Sequence, residues 1–184
     1  VFMRPFKVRL KFLESFGLAL ITSFYNTITP FRGGMAIRAF YLKKKYNFAY
    51  LNFLATLSAI YIIIFFISSL SGLISVFFIY INQKIFNLYI LSIFLLFFIF
   101  LLPIIVFSPK IKEIKNKWIN RFIKVINGWH LIKNNKKIIL STIIISFIQL
   151  ILGALNIIIA YRIFNIELTF FQGLFISSVS SISI

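Results

Sequence analysis

Two arginines near the start of the chain have the side chains and the spacing best suited to binding a ligand. Arg32 and Arg38 are six residues apart, and the pair Gly33-Gly34 lies between them. A guanidinium group can hold a phosphate through two parallel hydrogen bonds, and glycines let a backbone approach a ligand closely. A helix starting near Gly34 would also direct its free amide groups at a phosphate. The pattern therefore predicts a phosphate-binding site; the alternative is a simple turn with arginines on the cytoplasmic side of a membrane.

Two residues ahead of these arginines are expected to shape the site. Pro30 ends the preceding apolar segment, because proline lacks a backbone N–H and does not continue a helix. Asn26, four residues earlier, is expected to satisfy backbone groups that this break leaves without hydrogen bonds. The predicted substrate-binding residues are Asn26, Pro30, Arg32, Gly33, Gly34 and Arg38.

The sequence offers little for catalysis. Its three acids, Glu14, Glu113 and Glu167, are far apart, His130 is the single histidine, and there is no cysteine. Paired carboxylates, a Ser–His pair or a His-rich metal site cannot be assembled from this set, and no phosphate-loop or dinucleotide fingerprint is present. We therefore expect no catalytic residue, no metal and no cofactor in this chain. Whether the whole protein is an enzyme is left open.

The composition is typical of a protein that crosses a membrane several times. Of its 184 residues, 61% are hydrophobic and 12% charged, against about 45–50% and 25% in soluble domains. Long apolar runs that do not alternate predict an all-α, polytopic transmembrane helical bundle. The net charge of +17 fits cytoplasmic loops and attraction to anionic headgroups. The expected partners are therefore membrane lipids and not nucleic acid.

The apolar runs predict a single transmembrane domain over residues 1–184, interpreted as truncated at both ends. The predicted spans are about 51–71, 86–107 and 138–160, followed by an incomplete segment, 170–184. A further apolar segment, 16–29, is shorter than a span. It covers roughly 21 Å at about 1.5 Å per residue, less than the ~30 Å hydrocarbon core.

The distribution of lysine and arginine predicts the orientation in the cell membrane. Loops 31–50 and 108–137 hold nearly all of these residues and should be cytoplasmic. If 16–29 crossed the membrane, the basic residues at 4–11 would lie outside. We therefore interpret 16–29 as a re-entrant half-helix that stops at Pro30 and returns, with an ordinary short span as the alternative. Segment 170–184 is similar to segment 16–29, and the two segments could be the matching halves of an inverted repeat.

Two other segments have a predicted role in the membrane. Apolar residues recur at spacings of three and four through 108–137, which predicts a basic amphipathic helix at the interface with Trp118 and Trp129 at headgroup depth. In the span 138–160, the small or polar residues Gln149, Gly153 and Asn156 predict a contact between helices.

The stretch around the arginines resembles the first motif of the lysylphosphatidylglycerol synthase transmembrane-region family, also called flippase-like proteins. In that family an Asn precedes a Pro, a Gly shortly after it, and an Arg that leads into a cation-rich turn. The chain departs from the family pattern at Ser58-Ala59-Ile60-Tyr61-Ile62, which is uncharged, and at Gly34-Met35, where Gly-Glu is usual. A second motif, of the Pro-Gly-Gly type, would fall after Ile184. The matching residues are Asn26, Pro30, Gly33, Arg38, Ala39, Tyr41, Leu42 and, after a basic cluster, Ala55.

The resemblance implies a flippase-like membrane protein that binds and translocates an anionic polar-headed or isoprenoid-phosphate lipid. The alternative is the membrane anchor of an amino-acid or glycosyl transferase whose catalytic domain lies outside this chain. The sequence leaves open whether copies of the chain associate, and whether a transferase domain is fused to it or binds it.

Overall fold

The computed structural model contains six helices in the part of the chain that it describes. That part comprises residues 8, 10–29, 33–107, 111–112, 114, 116, 119–120, 123, 127, 133 and 135–183. No strand occurs among these residues, so the predicted all-α class is confirmed. The helices are α1 (Phe12–Ile28), α2 (Gly33–Tyr46), α3 (Tyr50–Gln83), α4 (Leu88–Val106), α5 (Lys136–Arg162) and α6 (Phe170–Ile182).

Three of the described helices, α3, α4 and α5, are long and apolar enough to cross a membrane. At about 1.5 Å per residue they are roughly 51, 28 and 40 Å long. They contain most of the predicted spans 51–71, 86–107 and 138–160, which confirms the membrane helical bundle. Helix α6 is also apolar but has only 13 residues.

Helix α3 continues past the predicted span 51–71 and ends at Gln83. The polar run from Ser68 to Ser75 does not break the helix, and two of its hydroxyls bond to carbonyls of the preceding turn. Ser69 Oγ donates to Phe66 O at 2.9 Å, and Ser75 Oγ donates to Ser71 O at 2.8 Å. Gly72 lies directly against the ring of Phe94 in α4. The run is thus a surface for close helix packing.

The chain divides into two compact units, residues 1–59 with 110–138 and residues 60–109 with 139–184. In the first unit, α1 and α2 form an antiparallel hairpin: Gly34 meets Thr22 near the turn, while Tyr46 reaches Glu14 at the other end. A small apolar cluster covers the hairpin. It consists of Val8, Ala39, Leu42, Phe48 and Phe53.

In the second unit, the first turn of α6 contacts both α3 and α5. A capping box between Thr169 and Gln172 starts the helix. Gln172 Nε2 also donates to Gln83 Oε1 at 3.0 Å, at the end of α3. Gly173 lies against α5, where a Cβ atom would stand 2.9 Å from the Ala154 carbonyl oxygen.

The predicted amphipathic helix over 108–137 begins later than the sequence indicated. The described positions 111, 112, 114 and 116 are not helical, whereas 119, 120, 123, 127 and 133 are. The Asn127 amide accepts from Ile111 N at 3.0 Å and donates to Ile111 O at 2.8 Å, and Asn120 pairs with Ile114 in the same way. These side chains compete with helical bonding at Ile111 and Ile114. Trp118 and Trp129 lie outside the described residues.

Candidate functional site

The turn end of the α1–α2 hairpin depends on two glycines. A Cβ atom at Gly34 would overlap the backbone carbonyl oxygen of Thr22 and stand 2.8 Å from Asn26 Oδ1. A Cβ atom at Gly33 would stand 2.5 Å from Thr29 Oγ1. Gly34 therefore serves close packing of α2 on α1, and in this structure it faces α1 where the sequence predicted an approach to a ligand.

The other end of the hairpin is joined by a polar cluster around Glu14. Its carboxylate accepts hydrogen bonds from Tyr41 Oη at 2.7 Å and from Tyr46 Oη at 2.8 and 2.7 Å. Lys45 Nζ lies 2.9 Å from the same carboxylate, whose side chain is only 12% exposed. Lys45 also donates to Tyr41 Oη at 3.1 Å. The last turn of α2 is thereby fixed to the first turn of α1.

These bonds keep Glu14 ionised. The hydrogen bonds from Tyr41, Lys45 and Tyr46 lower the pKa of Glu14 from 4.5 to about 2. The same carboxylate raises the pKa of the Lys45 ammonium and of the Tyr46 hydroxyl. The negative charge of Glu14 is therefore matched by the positive charge of the Lys45 ammonium, 2.9 Å away.

A cavity of about 230 Å³ lies between these two ends of the hairpin. Most of its lining is apolar. One of its polar groups, the Thr22 hydroxyl, is already used, since it donates to Leu18 O at 2.6 Å. The lining residues are Glu14, Gly17, Leu18, Ile21 and Thr22 from α1 and Ile37, Arg38 and Tyr41 from α2.

Arg38 contributes a buried, unused hydrogen-bond donor to this cavity wall. Its Nε atom is buried and donates no hydrogen bond to any residue that the structure describes. Among the described residues, no carboxylate forms an ion pair with it, and Glu14 on the same cavity wall pairs with Lys45. A partly buried cation without a counter-charge is unfavourable. The arrangement can therefore accept an anionic group from outside the chain.

In α1, Asn26 lies one helical turn nearer the tip of the hairpin than Thr22 of the cavity wall. Its Oδ1 atom is buried beside Gly34 and accepts no hydrogen bond from the described residues. The predicted role of Asn26 toward the backbone of the turn stays a prediction, because residues 30–32 lie outside the described residues. An unused acceptor at Asn26 and an unused donor at Arg38 lie along the same helix interface.

The structure brings four of the six predicted site residues, Asn26, Gly33, Gly34 and Arg38, onto one hairpin. Pro30 and Arg32 lie outside the described residues. The sequence did not predict the cluster of Tyr41, Lys45 and Tyr46 on Glu14. The signal that could have indicated this cluster is Glu14 itself, a lone acid at the start of an apolar segment. An ionisable group near a membrane requires a partner. In the described part of the chain, no group of His, Cys, Asp or Glu could hold a metal ion.

Comparison with known proteins places the whole chain in one family model. The model of the family described as lysylphosphatidylglycerol synthase TM region matches residues 1–184. The match therefore includes both helices of the hairpin, its cavity and the whole of the second unit. No curated protein and no solved structure matched the chain.

Proposed function

Because the chain belongs to the lysylphosphatidylglycerol synthase transmembrane-region family and is an integral membrane protein, we propose that it binds an anionic lipid headgroup and takes part in moving that lipid across the bilayer. The observation that carries the proposal is Arg38. It lines a cavity of about 230 Å³, its Nε atom is buried without an acceptor among the described residues, and the nearby carboxylate is paired with Lys45. A lipid phosphate would supply the missing charge and acceptor.

The surface of α1 beside the cavity suits the acyl chains of such a lipid. Phe16, Leu20 and Phe24 recur every four residues and are each more than half exposed. Residues at this spacing share one face of a helix. A phosphate at Arg38 would therefore have an apolar stripe next to it, where tails contact side chains instead of water.

The hairpin is proposed to enter the membrane from the cytoplasmic side of the cell membrane and to return there. Helix α1, with 17 residues, is about 26 Å long, and α2 runs back along it. Arg38 is seven residues before Lys45 and so about 10 Å deeper along α2. The Glu14–Lys45 cluster would lie at the headgroups, with the C-terminal end of α2 at Lys43–Lys45 and the basic segment 108–137 on the cytoplasmic side.

A second candidate function is the membrane anchor of a lipid-modifying transferase. The family description names a synthase of a lysyl-modified phosphatidylglycerol, and the Arg38 cavity would then hold the lipid for a catalytic domain outside this chain. The full-length sequence separates the two functions, because a soluble domain of several hundred residues favours the anchor.

Fluorescently labelled phosphatidylglycerol in proteoliposomes tests the role of Arg38. Arg38→Gln should weaken lipid binding about tenfold or more, because a hydrogen bond to a charged group contributes ~1.5–3 kcal/mol, and it should slow translocation. Arg38→Ala should do the same. Arg162→Gln is the matched control, since it removes the same charge from an exposed position at the end of α5. Unchanged binding and translocation in the Arg38 variants would show that Arg38 has no such role.

A further inference from the structure

A second cavity, of about 420 Å³, lies in the other unit between α5 and α6. Its polar and glycine lining residues come from one face of α5 and from the second half of α6, and the rest of its lining is apolar. On α5 they are spaced by four and three residues, as positions on one helix face are. They are Gln149, Gly153, Asn156, Ser177, Ser180 and Ser181.

Part of this lining holds the two helices together. Ser177 Oγ in α6 donates to Leu150 O in α5 at 3.1 Å. Ser181 Oγ donates to Ser177 O at 2.9 Å, within α6 itself. A Cβ atom at Gly153 would stand 2.5 Å from Ser177 Oγ. The predicted helix contact at Gly153 is therefore confirmed, and these two hydroxyls are already bonded.

The side chains of Gln149, Asn156 and Ser180 are different, because they make no hydrogen bond with any part of the chain that the structure describes. Gln149 is the central residue of α5, thirteen positions from either end, and Asn156 is about 10 Å further along. Helix α5 is long and apolar enough to span a membrane. Amide and hydroxyl groups without partners are strongly unfavourable in hydrocarbon. These three side chains therefore require a polar partner at membrane depth.

We propose that this cavity binds the neutral, hydroxyl-rich headgroup of a membrane lipid, such as a glycerol or a sugar. Amides and hydroxyls can both donate and accept, so the three side chains suit a group that also does both. No Lys, Arg, Asp or Glu is among the described lining residues, so an ion would find no counter-charge there. The volume is within the range of about 300–1,000 Å³ typical of small-molecule sites.

The unused groups come from two helices and line one volume, as the polar groups around a bound headgroup would. Apolar side chains at the rim, Leu152, Ile159 and Val179, are exposed and can contact acyl chains. This site lies in the second unit and needs no charge, so it goes beyond the anion site at Arg38.

The test compares monoglucosyl diacylglycerol with diacylglycerol of the same acyl chains, by native mass spectrometry of the purified protein. The protein should prefer the glucosyl lipid. The double variant Gln149→Leu/Asn156→Leu should reduce that preference about tenfold or more, since it removes at least two neutral hydrogen bonds. Ile144→Ala/Leu155→Ala, at exposed α5 positions outside the cavity, should keep it.

Folding of the double variant is checked by thermal melting. Leucine suits hydrocarbon better than an unpaired amide, so the melting temperature should not fall. If the double variant does not fold, the single variant Ser180→Ala replaces it in the test. This variant should reduce the preference for the glucosyl lipid severalfold. Arg38→Gln should leave the glucosyl preference unchanged, which separates this site from the anion site.

Three results would overturn the proposal. The first is equal binding of the two lipids by the unaltered protein. The second is an unchanged preference in the Gln149→Leu/Asn156→Leu and Ser180→Ala variants. The third is an unchanged preference together with a loss of self-association in these variants. That result would mean that a helix from a second copy of the chain occupies the cavity between α5 and α6.

Discussion

The Lys45 ammonium lies 2.9 Å from the Glu14 carboxylate, and this ion pair joins the last turn of α2 to the first turn of α1. Tyr41 and Tyr46 donate to the same carboxylate. With the two helix ends joined, the register of the hairpin is set, and Arg38 is held on the wall of its cavity. The cluster is thus a positioning device for the proposed lipid site.

Lys45→Gln should loosen the hairpin, whereas Lys43→Gln should not. Lys45 bonds to the other helix, while Lys43 Nζ donates only to Asn47 Oδ1, close by in its own chain segment. Hydrogen exchange followed by mass spectrometry should show faster exchange in the first turns of α1 for Lys45→Gln alone. Equal exchange in the two variants would mean that the ion pair does not hold the helices together.

The stability of the hairpin should fall in acid. The pKa of Glu14 is lowered from 4.5 to about 2, so the folded state takes up its proton at a lower pH than the unfolded state does. The contribution of this group is therefore present above about pH 4.5 and is lost as the pH falls toward 2. Thermal melting in a non-ionic detergent should show this decline, and Glu14→Gln should flatten it. The same decline in both proteins would assign the effect to other groups.

Gly34→Ala should destabilise the protein by about 1–3 kcal/mol, as other overpacking substitutions do. The added methyl group would overlap the Thr22 carbonyl oxygen, and a backbone atom of a packed helix cannot move aside easily. Gly17→Ala in α1 is the matched control, because nothing lies within 4 Å of its Cβ position. That change should be neutral or stabilise the helix by up to about 1 kcal/mol. Melting temperatures of the two variants compare them directly, and equal values would refute the close contact.

Cysteine labelling can test the re-entrant hairpin, because the chain has no cysteine of its own. Single cysteines at Lys11 and Asn47, which flank α1 and α2, should react with an impermeant reagent from the same, cytoplasmic side. A cysteine at the exposed Ile85, in the loop between α3 and α4, should react from the opposite side. Labelling of positions 11 and 47 from opposite sides would show that α1 crosses the membrane.

Features that depend on composition and local order were predictable from the sequence. The apolar runs of α3, α4 and α5 are long enough to identify as spans without any knowledge of their neighbours. Proline followed by two glycines indicated the break after α1 and the start of α2. Arg38 was predicted as a binding residue, and the structure places it on a cavity wall. Its ligand stays a prediction.

Features that depend on contacts between distant residues were not predictable. Tyr46 and Glu14 are 32 positions apart, so no local spacing indicates their hydrogen bond. Gly34 is compatible with a ligand or with a neighbouring helix, and only the approach of Thr22 distinguishes the two. The polarity of Ser68 and Ser69 can be read from the sequence, but their burial is visible only in the structure. At Ile111, the competing partner was the side chain of Asn127.

The 34 residues of α3 have a consequence for the choice of bilayer. The helix is about 51 Å long, whereas the hydrocarbon core measures ~30 Å. Such hydrophobic mismatch is relieved when a helix tilts, when the bilayer thickens around it, or when its ends are covered by protein. Bilayers made from longer acyl chains would reduce the mismatch and let α3 stand more upright. Acyl-chain length is therefore a variable to scan in any reconstitution of this protein.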